Sequence, residues 1–340
     1  MNAPSPMISG KTSPRFAAVR EAFGLSFADR MELGAALAVV VDGETVVDLW
    51  GGHRTLDRSQ AWESDTLVNV WSVGKGVMAL AIAMLADRGQ LDYSAPVATY
   101  WPEFAANGKG AITVDQVMSH QAGLDGLNVP MADDGIFDWH RVVNALAAMA
   151  PLWPPGSRCV YHPLTYGFLS GELIRRIDGR SPGRFIAEEI AKPLKLDLHI
   201  GLAASDDARV AHMSAGDKAY DWVRQGEQSA YPHAFRNPSL DATAPTNGPG
   251  AQQRFLAAMP TQTPARSPAC TAPWRAAVSL TARAWSHHKG WPMRWPFVLT
   301  ASTPAFWPPR CLAPAFAATQ LVSGRMSAPA ISATPAGAAR

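Results

Sequence analysis

Apolar positions recur with a helical period over residues 14–30, where Phe16, Val19 and Phe23 share a face, so a helix lying across something apolar is expected. The period then changes. Gly34 to Val41 and Glu44 to Trp50 read as strands, and Asp42-Gly43 between them is the strongest short signal for a hairpin; Gly51-Gly52 ends it. A long apolar run from Val77 to Leu85 returns to helical spacing at Val77, Ala81, Met84 and Leu85. It stops at Asp87-Arg88-Gly89, with Ser72 standing where an N-cap would.

Leu91 to Phe104 is turn-rich and aromatic. Thr113 and Gln116 have the spacing of a capping box at the start of a short helix that runs to about His120. Asp138 can cap a helix carrying Trp139, Val142, Val143, Leu146 and Met149, and Pro154-Pro155-Gly156 breaks the chain after it. Thr165 to Ile177 is amphipathic, and Ser181-Pro182 has the cap-then-proline form of a further helix ending near Pro193. A hairpin followed by a helical middle, without βαβ alternation, predicts an α+β fold.

The chain of 340 residues is 47% apolar, enough for a sizeable core. Its net charge of +2 gives no reason to expect nucleic acid or a membrane surface as partner, yet the balance is uneven. Residues 1–241 hold all 28 acidic residues and 21 of the 30 basic ones, a net of −7, whereas residues 242–340 hold nine basic residues and no acidic one, a net of +9. No apolar segment reaches the ~18 residues of a membrane span, and the start lacks the apolar core of a signal peptide, so a cytoplasmic protein is expected. Cys159, Cys270 and Cys311 have no metal-site spacing and suggest no disulfide framework. No metal or cofactor is expected.

Candidate chemistry centres on Trp71-Ser72-Val73-Gly74-Lys75-Gly76. Ser72 and Lys75 fall one turn apart on one helical face. An amine held there, at the positive end of a helix and beside an apolar stripe, can lose its proton and take one from the hydroxyl, the S-x-x-K arrangement of serine acyl-transfer enzymes. Such a pair also arises by chance, with Ser72 serving only as a cap. Gln121 and Trp71 are candidates to line a cleft around it, and His162 to touch substrate or to lie on the surface. His120 reads as a structural histidine, and Asp87-Arg88 and Arg175-Arg176 read as solvated helix faces.

Several ordered strings now add up: DLWGG, SVGK, LADRGQLD with APVATYWPEF, ITVDQVMSHQAGL, and PPGSRCVYHPLTYGFLSGELIRRIDGRSPGRFI. Together, over about residues 15–260, they resemble the serine β-lactamase-like superfamily, and most of all its family VIII carboxylesterases. The resemblance implies an antiparallel sheet with a helical subdomain, the β-lactamase/transpeptidase-like fold. It implies Ser72 as nucleophile, Lys75 as general base or keeper of protonation states, and Tyr161 as proton shuttle. The backbone N–H of Ser72 would be half of an oxyanion hole. The implied reaction is hydrolysis of a small ester through an acyl-serine. A β-lactamase or D-Ala-D-Ala peptidase, or an inactive pseudoenzyme or damaged gene product, are the alternatives. One departure disfavours a β-lactam substrate: where the lactamase pattern is Tyr-x-Asn, this chain has Tyr161-His162-Pro163.

The superfamily's third motif, a Lys/His-Thr/Ser-Gly or His-x-Gly strand, is not found; His288-Lys289-Gly290 lacks a surrounding strand pattern. Residues 242–340 instead contain 14 of the 28 prolines, five tryptophans, and no aspartate, glutamate or tyrosine. An ordinary domain is about a quarter charged with both signs present. Read in the neighbouring frame, codons for Thr261 to Ala282 can encode an amphipathic helix with a Gly-Gly stop. The expectation is therefore a disordered start over 1–14, an incomplete hydrolase domain over 15–260, and an out-of-frame, irregular tail over 261–340 that leaves the C-terminal strands missing.

Overall fold

The computed structural model describes residues 8–28, 32–131, 135–213 and 258–260. The expectations for the tail from Thr261 onward lie outside these residues. Strand β1 (Ile8–Thr12) leads through a 3-10 turn at Pro14–Phe16 into helix α1 (Ala17–Ala28), and the hairpin follows as β2 (Gly34–Val41) and β3 (Glu44–Gly52). The sheet order is β1-β3-β2, antiparallel throughout. Asp42 and Gly43 both take positive φ, 51° and 87°, as a tight hairpin turn requires. Along β3 the buried residues alternate, with Val47 and Leu49 on the covered face. Gly52 sits at φ 79° where an added Cβ would strike the Leu33 carbonyl and the ring of Phe27, so α1 and the sheet approach closely only because this residue is glycine.

Assigning residues 1–14 to a disordered start is corrected for β1, which pairs with β3 from Ile8↔Gly51 to Thr12↔Val47. The segment Ile-Ser-Gly-Lys-Thr has little apolar pattern of its own, and its order comes from a partner some forty residues away.

The helical body lies around α2 (Gly74–Asp87) and α5 (Thr165–Asp178), with the short α3 (Val114–Met118), then α4 (Trp139–Ala148) and α6 (Pro182–Ile186) beside them. Ala81, Ile82 and Leu85 of α2, Phe168, Leu173 and Ile174 of α5 and Phe185 of α6 are buried in one cluster with Trp101 and Phe104. Each large side chain so buried contributes about 1.5–3 kcal/mol. The start signals expected at Thr113, Asp138 and Ser181 are used, whereas Ser72 does not cap α2. Thr113 and Gln116 close a capping box, Asp138 accepts from the Arg141 N–H, Ser181 accepts from the Arg184 N–H, and Gly179 ends α5 in the left-handed conformation.

Two buried charges tie this body together. Glu172, with no exposed side-chain surface, accepts from Arg175 (2.6 Å), Arg176 (2.7 Å) and the Trp139 Nε1–H (3.0 Å). Burial opposes its carboxylate, but those hydrogen bonds outweigh it and hold its pKa below the ordinary glutamate value. Arg175 and Arg176 are thus paired rather than simply solvated. Lys109 is fully buried, and its ammonium donates to the carbonyls of Ala106 (2.7 Å), Ala147 (3.0 Å) and Met149 at the C-terminal end of α4. Among the described residues no helix is long and apolar enough to cross a membrane.

A short strand β4 (Leu67–Asn69) delivers the chain to the start of α2. It pairs antiparallel with β5 (Ala258–Pro260), and Leu67 also bridges in parallel to Val210.

Candidate active site

Between β4 and α2 the chain makes a 3-10 turn, Trp71–Val73, that carries Ser72. Val73 is the N-cap of α2 and no side chain caps that helix, so the Ser72 hydroxyl is not spent on capping as the simpler sequence reading allowed. It faces two other groups instead. Lys75 Nζ donates to Ser72 Oγ at 3.1 Å, and the Tyr161 hydroxyl meets the same oxygen at 2.5 Å. Lys75 also donates to the Pro163 carbonyl at 2.6 Å and lies 5.0 Å from the centre of the Tyr161 ring. Ser72 is exposed while Lys75 and Tyr161 are half-buried, so an incoming molecule reaches the hydroxyl before the two groups behind it.

The segment bearing Tyr161 runs irregularly into α5 and is pinned by histidines. His120, at φ 61°, takes the His162 N–H on its Nδ1 (2.9 Å) and gives its carbonyl to the Val160 N–H (3.0 Å). The Leu124 N–H donates to His162 Nε2 (3.2 Å), which assigns the proton to Nδ1, where it bonds the Val160 carbonyl (2.6 Å). The His120 ring stacks on Tyr166 at 4.8 Å and tilts against Tyr161 at 5.1 Å. Burial holds both histidines neutral, pushing His120 well below its ordinary pKa and His162 down to about 4.

The structure thus brings Ser72, Lys75 and Tyr161 together. Gln121 is half-buried and its amide donates to Ser119 Oγ at 2.8 Å; Trp71, also half-buried, adjoins Ser72. His162 is a correction: it is wholly buried with both ring nitrogens bonded, so it offers a substrate no surface. Adjacency to Tyr161 in sequence suggested contact, whereas the turn into α5 points the side chain inward. Sequence reasoning missed Pro163 and Asn69. The first acts through its main chain, which no side-chain motif reports. The second sits two residues before Trp71, where asparagine is itself the signal of a local turn. Among the described residues no group of three or more His, Cys, Asp or Glu is placed to hold a metal ion.

A serine hydroxyl within hydrogen-bond reach of an amine and a phenol can give up and regain its proton, the requirement for covalent catalysis by an alcohol. Comparison with known proteins points the same way. The beta-lactamase family model matches residues 26–287. The chain is 43% identical over 208 residues to the esterase/beta-lactamase LipL of Mycobacterium tuberculosis, covering 61% of this chain and 48% of that protein. A penicillin-binding protein homologue from Caulobacter crescentus superposes with a TM-score of 0.60 at 49% identity, over 62% of this chain and 57% of that one. A family VIII carboxylesterase superposes with a TM-score of 0.62 at 41% identity, over 69% and 63% respectively. The chain spans about half the length of the curated relatives it matches.

Proposed function

Since the chain belongs to the beta-lactamase family, we propose that it is a serine hydrolase cleaving small esters through an acyl-serine, without a cofactor. The observation that carries this reading is the meeting of Lys75 Nζ and the Tyr161 hydroxyl on one oxygen, Ser72 Oγ. In this mechanism Tyr161 reacts in its phenolate form, with the Lys75 amine beside it on the same Ser72 oxygen. It takes the Ser72 proton as Oγ attacks the ester carbonyl carbon. The oxyanion that forms is met by the Ser72 backbone N–H. Collapse expels the alkoxide, which leaves as an alcohol with the proton from Tyr161. Water then gives a proton to Tyr161 and attacks the acyl carbonyl; the acid departs and Ser72 regains its proton.

Support for an ester over a β-lactam comes from position 163. Pro163 holds Lys75 with its carbonyl and has no side-chain amide to offer a β-lactam side chain. Labelling by a fluorophosphonate, mapped to Ser72, tests the nucleophile, and absence of label at Ser72 would sink the mechanism. Relative turnover tests the substrate class. A kcat/KM higher for p-nitrophenyl butyrate than for nitrocefin is expected, and the reverse order would make the protein a lactamase.

The reading includes the tail: residues from about Thr261 are proposed to be translated out of frame, which would remove the family's third motif from this chain. Composition supports a break, since no acidic residue follows Asp241. The family match, reaching residue 287, argues against a break as early as 261. The nucleotide sequence around codons 255 to 265 decides it. If one nucleotide is missing there, restoring it should return an acidic C-terminus and raise turnover. An intact frame refutes the proposal.

A further inference from the structure

Trp71 is out of place by its backbone. It precedes Ser72 with φ 49°, in the left-handed region that a bulky residue rarely enters without something holding it there. Glycine would take this conformation without cost, yet the chain carries its largest residue type. What holds Trp71 is the last residue of β4: Asn69 Oδ1 accepts the Trp71 N–H at 2.9 Å, closing an Asx turn. Asn69 is itself almost wholly buried, 4% exposed, and its Nδ2 has no hydrogen-bond partner among the described residues. A buried amide left half-satisfied is a standing cost, and backbone strain beside a reactive group points to function. Capping of α2 does not explain the arrangement, because no side chain caps that helix.

We propose that Asn69 is a positioning residue: its carbonyl oxygen clamps Trp71 in the left-handed conformation and so sets Ser72 against Lys75 and Tyr161. The inference rests on the reading of Ser72 as nucleophile. The strand end supplies the fixed point, because Asn69 is in register with Ala258 in the β4–β5 pair. One residue of left-handed backbone then turns the chain, and Ser72 Oγ emerges on the Lys75 side.

The test uses the full chain and the rate of fluorophosphonate labelling at Ser72. Asn69→Ala should slow labelling at least tenfold, and lower kcat for p-nitrophenyl butyrate with KM changed less than twofold. Asn69→Asp, which keeps the accepting oxygen, should recover most of the rate, whereas Asn69→Leu, similar in size but without it, should not. On a Trp71→Gly background, where glycine holds positive φ unaided, the loss caused by Asn69→Ala should shrink at least threefold. A role in packing alone would leave that ratio unchanged and would overturn the proposal, as would labelling of Asn69→Ala at the parental rate. If the parent chain does not label at all, the nucleophile reading fails separately. Amide exchange at Trp71 then judges the clamp: protection lost in Asn69→Ala and kept in Asn69→Asp upholds it, and equal exchange in all three overturns it.

Discussion

The sheet and the helical body of this protein are built to different standards. In β2 every residue is half-buried or exposed, and Val40 and Val41 are 45% and 37% exposed. In α5 the run from Thr165 to Ile174 is buried without a break. Every side chain that meets at Ser72 comes from the second region or its rim: the turn before α2, the first turn of α2, and the segment entering α5. The contacts of 2.5 and 3.1 Å at Ser72 thus hang at the edge of elements whose inner faces are closely packed, which limits how far the backbone carrying them can shift. The sheet tolerates looser cover because nothing in it has to meet to that accuracy.

The largest expected effect separates chemistry from both regions. Ser72→Ala and Lys75→Ala should each lower p-nitrophenyl butyrate turnover by roughly a thousandfold or more, and the double variant should add little, because groups acting as one unit are not additive. Thermal unfolding should barely move, Ser72 being exposed.

Next comes the contrast in packing. Phe168→Ala, in the body, should destabilise by about 3–5 kcal/mol in urea unfolding, whereas Val41→Ala, on the sheet, should stay within about 0.5 kcal/mol. Equal losses would show that the sheet bears load its exposure does not suggest.

A separate effect follows from acid. Unfolded histidine takes a proton below about 6.5, while His162 refuses one until about 4 and His120 until well below its ordinary value. The unfolded state therefore binds more protons in that window, and stability falls as pH falls through it, by about 1.4 kcal/mol per unit of depression, with no such loss above 6.5. Urea midpoints from pH 7.5 to 4.5 should fall in parallel with loss of near-UV signal. Double replacement of His120 and His162 by Asn should flatten the slope.

The two regions also differed in how far the sequence revealed them. Thr113, Asp138 and Ser181 act on neighbours three residues away, so local pattern was enough to place the starts of those helices. Asp42-Gly43 did the same for the hairpin. Strand β1 was illegible because its order depends on β3, and β4 because three residues make no period. At the site, Ser72, Lys75 and Tyr161 were visible as a family pattern. The inward turn of His162 and the anchoring carbonyl of Pro163 were not, since burial and main-chain contacts are tertiary outcomes. The pairing of Arg175 and Arg176 with Glu172 was readable in principle from the i,i+3 and i,i+4 spacing.

Lys109 turns the junction of α4 into a gauge. An amine enclosed by three carbonyls and a phenyl ring cannot be reached by an acylating reagent while those groups surround it. Burial pulls its pKa below the ordinary lysine value, and that depression is lost when opening returns the amine to water, so once freed it reacts as any exposed lysine does. The rate at which acetic anhydride modifies Lys109, compared with an exposed lysine of the same chain, therefore counts how often this part of the body opens. The protein carries its own clock for local unfolding, read by mass at a single side chain.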